Sequence, residues 1–352
     1  MKYKQPTLVF GLGLLLLLGV RTAVSEDLLD VRDTPSTPVK IIFDTDMGND
    51  VDDALALAIL HNMVDRQKCE LLAITLTKCS LKAAQYCKAF NTLYGRPDIP
   101  IGLVKDGKEK HDGRYVGRVF DLKNADGTPV FDCPTDFVPE DSIALLRRLL
   151  AEAEDNSIVI VQVGFSTNLA RLLDTPGDAI SPLSGRELAA KKVRLVSAMA
   201  GAFTFQNDKY IAHKEYNVVI DIPSAQKLFR EWPGEIVVSG FELGVKILAR
   251  GCTILNDYDD APRKNFVKQS YLLYREGWGL AQSTWDLTSV LFVVRPEAER
   301  DYYSLSERGI VSVRDDGTTF FTPDANGKHR CFICNEAQSV RVEEAFVNLC
   351  SE

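Results

Sequence analysis

Residues Val39 to Leu60, reading VKIIFDTDMGNDVDDALALAIL, constrain this chain more than any other stretch. Val39 to Phe43 is a short apolar, β-branched run and reads as a buried strand. From Asp52 to Leu60 the pattern becomes helical, with Ala and Leu filling the face that packs on a sheet. Five carboxylates fall between Asp44 and Asp53: Asp44, Asp46, Asp50, Asp52 and Asp53. Like charges this close repel, and some must protonate unless a cation sits among them. A hard divalent cation with oxygen ligands relieves the repulsion, and calcium suits carboxylates best. Capping by Asp50 or Asp52 explains one or two of these acids, but not Asp44 and Asp46 at the strand end. An EF-hand loop does not fit, because its twelfth position is Leu55 rather than Glu.

The stretch resembles the signature of the inosine-uridine-preferring nucleoside hydrolase family, Asp-x-Asp-x-Gly-x-Asp-Asp after a first strand. Two extra residues separate Gly48 from the Asp52–Asp53 pair, which leaves Asp50 outside the motif. A haloacid-dehalogenase-type phosphatase also opens with a strand and Asp-x-Asp, but needs no second acidic pair at the helix start. Further stretches match the same family in the same order. The run Val161 to Asn168 matches a strand followed by Thr-Asn, which places a metal-binding backbone carbonyl on Val163. Read alone, Thr167 and Asn168 would be helix caps. Glu215-Tyr216-Asn217 matches a Glu-x-Asn that grips ribose hydroxyls, and Asn207 resembles a further sugar-binding Asn. Carboxylate and amide side chains complement vicinal hydroxyls, though an isolated Glu-x-Asn is usually a surface strand. Asp286, after Trp285, matches the family's last metal-binding Asp. The likeness covers roughly residues 39 to 295. It departs at Cys79 and Ser80, where the family often has Gly-Asn, and at Trp285, where members often carry His.

The resemblance implies calcium-dependent hydrolysis of the N-glycosidic bond of a ribonucleoside or similar N-riboside. Calcium would be held by Asp46, Asp53, Asp286 and the Val163 carbonyl, with Asp46 as general base toward the bound water. Asp52, Asn207, Glu215 and Asn217 would bind the sugar. Trp285, where the family often has His, either stacks on a flat base or is a core aromatic pointing away. If it faces the site, either His111 or His213 supplies the leaving group's proton or substrates with good leaving groups are preferred. Asp44 is expected to orient the metal's surroundings rather than bind it, and Asp50 is grouped with it. A secreted calcium-dependent nucleoside- or sugar-binding protein without turnover is the alternative from a different class.

Beyond the motif, strands alternate with helices, which implies an α/β fold with a mainly parallel sheet covered on both faces and a more helical C-terminal third. Residues 39 to 352 read as one such domain, preceded by a leader at residues 26 to 38. Residues 105 to 139 form a long Gly- and Asp-rich stretch that is either a binding loop or a surface insertion. Residues 1 to 25 read as a secretory signal peptide, with Lys2 and Lys4 before the apolar run Leu8 to Val20 and a small-residue site at Ala23-Val24-Ser25. That run is too short for a confident membrane span, so the mature protein is expected to be secreted or periplasmic. Cleavage removes Lys2, Lys4 and Arg21 and no acid, so the formal charge moves from −8 to −11. Such a chain is a poor partner for nucleic acid and suits a neutral or cationic small molecule. The sequence sets no bar to a homo-oligomer. Eight cysteines and four histidines show no zinc spacing, and Cys331 and Cys334 read as buried thiols or a local disulfide rather than a redox pair.

Overall fold

The computed structural model describes residues 37–203, 212–258, 261–295 and 301–351. The expected signal peptide, most of the leader and Asn207 lie outside them. In chain order the first half runs β1 (Val39–Thr45), α1 (Asp52–Asp65), β2 (Cys69–Leu76), α2 (Leu81–Leu93), β3 (Ile101–Leu103), β4 (Glu140–Asp141), α3 (Ser142–Glu152), β5 (Ile158–Gln162), α4 (Thr167–Leu173), α5 (Gly185–Lys192) and β6 (Val193–Met199). The second half runs α6 (Tyr216–Ile220), α7 (Ile222–Glu231), β7 (Ile236–Ser239), α8 (Phe241–Lys246), β8 (Leu248–Arg250), α9 (Gly251–Asp257), α10 (Pro262–Arg275), β9 (Ala281–Ser283) and α11 (Trp285–Val294). It ends with β10 (Ser304–Leu305), β11 (Gly309–Val313), β12 (Thr319–Pro323), β13 (His329–Ile333) and α12 (Glu336–Cys350).

The main sheet has the order β12-β11-β13-β7-β6-β5-β1-β2-β3-β4. Every pairing from β13 to β4 along it is parallel, while β10, β11 and β12 add antiparallel partners at the far edge. The expected mainly parallel α/β architecture is present. The last third carries helices α8 to α12 and strands β8 to β13. The sequence reading passed over β13, whose short run His329–Ile333 lacks alternation yet extends the parallel sheet beside β7.

Strand alternation divides the core between the two faces of the sheet. Ile41, Phe43, Val159 and Val161 pack on one face with α1, α11 and α12. Ile42, Ile158, Ile160 and Val196 pack on the other with α3, α4, α5 and α7. Helix α1 is buried without a break from Asp52 to Met63, so it is apolar all round rather than on one stripe. That burial carries its two leading carboxylates into the interior. The 105–139 stretch is not a detached insertion. Tyr115, Val116, Val119, Phe120 and Phe131 along it join the core on the α1 face.

Candidate active site

The site forms where β1, β5, β6 and β7 end, at their carboxyl ends, as parallel sheets favour. The turn after β1 is tight. Gly48 has φ +110°, and a Cβ there would meet the Asp112 carbonyl oxygen at 2.6 Å. Helix α1 then starts at Asp52 behind Val51, and no side chain caps it. The five acids are therefore not spent on capping. Helix α11 likewise begins behind Thr284 without a side-chain cap, and Asp286 lies in its first turn.

These starts bring carboxyl oxygens of Asp50, Asp52, Asp53 and Asp286 within 4.8 Å of one another. Asp52, Asp53 and Asp286 are buried. The Asp286 amide donates to Asp52 Oδ2 at 3.1 Å, and Asp52 Oδ1 has no hydrogen-bond partner. Burial pushes Asp52 up to about 7 and holds Asp53 and Asp286 well above the usual carboxylate range; neighbouring acids add to all three. Buried acids that resist ionisation together, with one oxygen unpartnered, are the donor set a hard cation requires. The group could hold a metal ion.

The remaining predicted residues divide by position. Asp50, expected to stand behind the site, instead joins this group and lines the cavity above it, because the two inserted residues carry it outward. Asp46, expected among the ligands, lies outside the group of four. It lines the same cavity and accepts a hydrogen bond from the Asn49 amide. Burial raises Asp46 to about 6, with Lys78 pulling the other way. Asp286, Val163, Glu215, Asn217 and Trp285 line the cavity, and Asp52, expected on the sugar, is buried beside Asp286. Asp53 accepts from Thr45 Oγ1.

Thr167 and Asn168 are not caps: Ser166 precedes α4 without side-chain capping. Asn168 Nδ2 instead donates to Asp44 Oδ1 at 2.8 Å and to the Leu76 carbonyl at 3.1 Å, and Thr75 Oγ1 donates to the same Asp44 oxygen at 2.6 Å. Burial nevertheless pushes Asp44 to about 7. Asn168→Ala would strip this buried carboxyl of a donor and should cost about 2 kcal/mol of stability, measured by urea unfolding. An unchanged midpoint would show the bond to be idle.

Glu215 caps α6, taking the backbone N–H groups of Asn217 at 2.7 Å, Val218 at 3.2 Å and Gly201 at 2.9 Å. The Glu-x-Asn thus starts a short helix, not a surface strand. Asn217 Nδ2 donates to the Val163 carbonyl at 2.8 Å and the Met199 carbonyl at 3.1 Å. One lone pair of the Val163 carbonyl is thereby used and the other remains. Asn217 Oδ1 accepts no hydrogen bond among the described residues.

Sequence reasoning missed a second set of residues. Lys78 is fully buried just beyond β2, donates to Asn49 Oδ1 at 2.6 Å and stands 3.8 Å from Glu109. Glu109 also accepts from Asn49 at 3.1 Å and from the Tyr216 hydroxyl at 3.0 Å, and pairs with His111. The only signal in the sequence was a Lys at a strand exit. One wall of the cavity is aromatic. Trp285 stacks on Phe241 at 5.5 Å, and Phe241 stacks on His213 at 3.7 Å. The Trp285 Nε1 donates to the Phe241 carbonyl at 3.0 Å, so the indole offers the cavity its faces and edges but no free N–H. A Cβ at position 244 would collide with that indole, so Gly244 makes room for it. The cavity encloses about 500 Å³.

The profile of the inosine-uridine preferring nucleoside hydrolases matches residues 41–344. The chain belongs to that family. Its members are N-glycosyl hydrolases, and this chain is one by membership. A plant nucleoside hydrolase superposes with a TM-score of 0.65 at 21% identity, covering 89% of this chain and 99% of its own. A purine-preferring ribonucleoside hydrolase from Gardnerella vaginalis gives 0.67 at 18%, covering 89% and 98%. An inosine-uridine preferring nucleoside hydrolase from Bacillus anthracis gives 0.58 at 16%, covering 88% and 99%. At such identities these likenesses speak for the fold. Comparison with curated proteins gives no sequence match.

Proposed function

We propose that this family member cleaves the N-glycosidic bond of a ribonucleoside or similar N-riboside, with calcium in the acid cluster. The observation that carries the reading is the convergence of four carboxylates beneath a cavity that has Asp46 on one wall and a stacked aromatic wall on another. Asp50, Asp52, Asp53 and Asp286 would hold the cation, with the Val163 carbonyl and Asp46 facing the same space. When bound, calcium supplies Lewis acidity toward water.

Asp46 takes the proton of the attacking water. A base near 6 is ionised at neutral pH yet still basic enough to accept a proton. Asn49 fixes its carboxyl, and Lys78 fixes Asn49. The side-chain oxygen of Asn217, which lines the cavity, binds a sugar hydroxyl. As the bond to the base breaks, positive charge on the sugar is stabilised by the acids around it.

The leaving base needs a proton, and an indole N–H bonded to a carbonyl does not provide one. His213 is stacked on Phe241, and burial holds it below its ordinary value. His111 lines the cavity, and its Nε2 pairs with Glu109, which holds the ring in place. We therefore assign His111 as the acid. His111→Gln should lower the turnover number on inosine by about 100-fold or more and leave an activated nitrophenyl riboside nearly unaffected. The activated riboside should also be the faster substrate of the unmodified enzyme. Trp285→Ala should raise KM more than it lowers kcat, because lost stacking is mostly uniform binding. Steady-state kinetics on both substrates checks all three. Equal losses on both substrates in His111→Gln, or a collapse of kcat in Trp285→Ala, would contradict these roles.

A further inference from the structure

Lys78 follows β2, and none of its side chain is exposed. A buried ammonium is costly unless anions or strong acceptors surround it. Its Nζ donates to the Asn49 side-chain oxygen at 2.6 Å and stands 3.8 Å from the Glu109 carboxylate. These partners come from two other segments, the turn after β1 and the stretch after β3. The Cys79 amide, next in the chain, donates to the Glu109 carbonyl at 2.8 Å and fastens that stretch.

An ammonium has donors and no acceptor, so it decides which end of the Asn49 amide faces it. With Oδ1 on Lys78, the Asn49 NH2 group is turned the other way. It donates to Asp46 Oδ2 and, at 3.1 Å, to Glu109 Oε2. The Tyr216 hydroxyl donates to the same Glu109 oxygen at 3.0 Å. Asn49 cannot turn over without setting its NH2 against the ammonium and its oxygen against two carboxylates. Asp46 is held in this clamp and adds no oxygen to the group formed by Asp50, Asp52, Asp53 and Asp286. Adjacent residues of one turn thus do different things: Asn49 holds Asp46, and Asp50 joins the group.

We propose that Lys78 is a positioning residue that, through Asn49, keeps Asp46 out of the cation's ligand set, so that Asp50 serves as ligand and Asp46 remains a base. The inference rests on the reading of this cavity as a calcium-dependent hydrolase site. A carboxylate bound directly to a cation is a weaker base, because the cation favours its ionised form. Asp46 held by an amide keeps its basicity and its place in the cavity wall. Without the clamp, Asp46 is free to turn to the cation, which gains a ligand while the reaction loses its base.

Calorimetric titration of calcium into the chelated full chain tests this apart from turnover. Asp50→Asn should weaken binding about tenfold or more, and Asp46→Asn far less. Asn49→Ala, at a half-buried position, breaks the clamp and keeps the Lys78 charge, whereas Lys78→Met breaks it and removes the charge. Each should tighten calcium binding several-fold, and the gain should vanish when Asp46→Asn is added. Both should lower kcat on the nitrophenyl riboside about tenfold or more with little change in KM. Unchanged calcium affinity in Asn49→Ala, Asp46→Asn as damaging to binding as Asp50→Asn, or a gain that survives Asp46→Asn and so reflects charge alone, would each overturn the proposal. A chain that binds no calcium would overturn the reading beneath it as well.

Discussion

Asp46→Asn and Asp53→Ala should each abolish turnover and leave the fold intact. Asp46 is the base in the cavity wall, and loss of a positioned base costs about 10²- to 10⁴-fold in rate. Asp53 belongs to the acid group, and burial first and then Asp46 and Asp52 hold it above the usual carboxylate range. Removing it deletes a cation ligand. It also removes a buried charge from among like charges, so the metal-free protein should hold its stability or gain some. Calorimetric titration with calcium separates the two roles. Asp53→Ala should bind calcium far more weakly, while Asp46→Asn should lose turnover out of proportion to any loss of affinity. Unchanged calcium affinity in both variants would contradict the metal assignment.

Calcium should also change how stability depends on pH. Asp44 and Asp52 lie near 7 in the folded chain against an ordinary 3.8, and Asp46 near 6. The fold therefore holds protons that the unfolded chain releases. The stability this contributes is fully present below about pH 3.8 and is lost as pH rises to about 7. His61 and His329, held at about 3 and 4, act in the opposite direction between those values and 6.5. The difference between calcium-loaded and chelated protein cancels the two histidines, which lie away from the cluster. That difference in Tm should be small near pH 4.5 and large above pH 7, since the cation must displace protons to bind. A calcium shift that is the same at both pH values, or larger in acid, would contradict this coupling.

The opening motif was legible because its chemistry is local. A strand, a tight turn and a helix start fix where Asp44 to Asp53 fall, whatever the rest of the chain does. Asp286 and Glu215-Tyr216-Asn217 were legible only through family resemblance, since alone the first is an ordinary helix start and the second reads as a surface strand. The placement of Asp50 was not legible, because two inserted residues re-aim a loop in ways that spacing does not report. Lys78 was hidden for another reason. A lysine at a strand exit is normally exposed, and only the fold shows that Asn49 and Glu109 close over it. Glu109 and His111 lie on a stretch without periodicity, so their approach to the site follows from packing of Tyr115, Val116 and Phe120 far along the same loop. The strand β13 escaped because five residues between a turn and a helix carry too little pattern to reveal a parallel partner.

The most direct test is release of reducing sugar from a panel of nucleosides and N-ribosides by the chelated protein, before and after calcium is restored. The account predicts no release without calcium, release of ribose on its return, and none from Asp46→Asn under either condition. Calcium bound tightly with no sugar released from any substrate, or the same release from Asp46→Asn as from the unmodified protein, would contradict it.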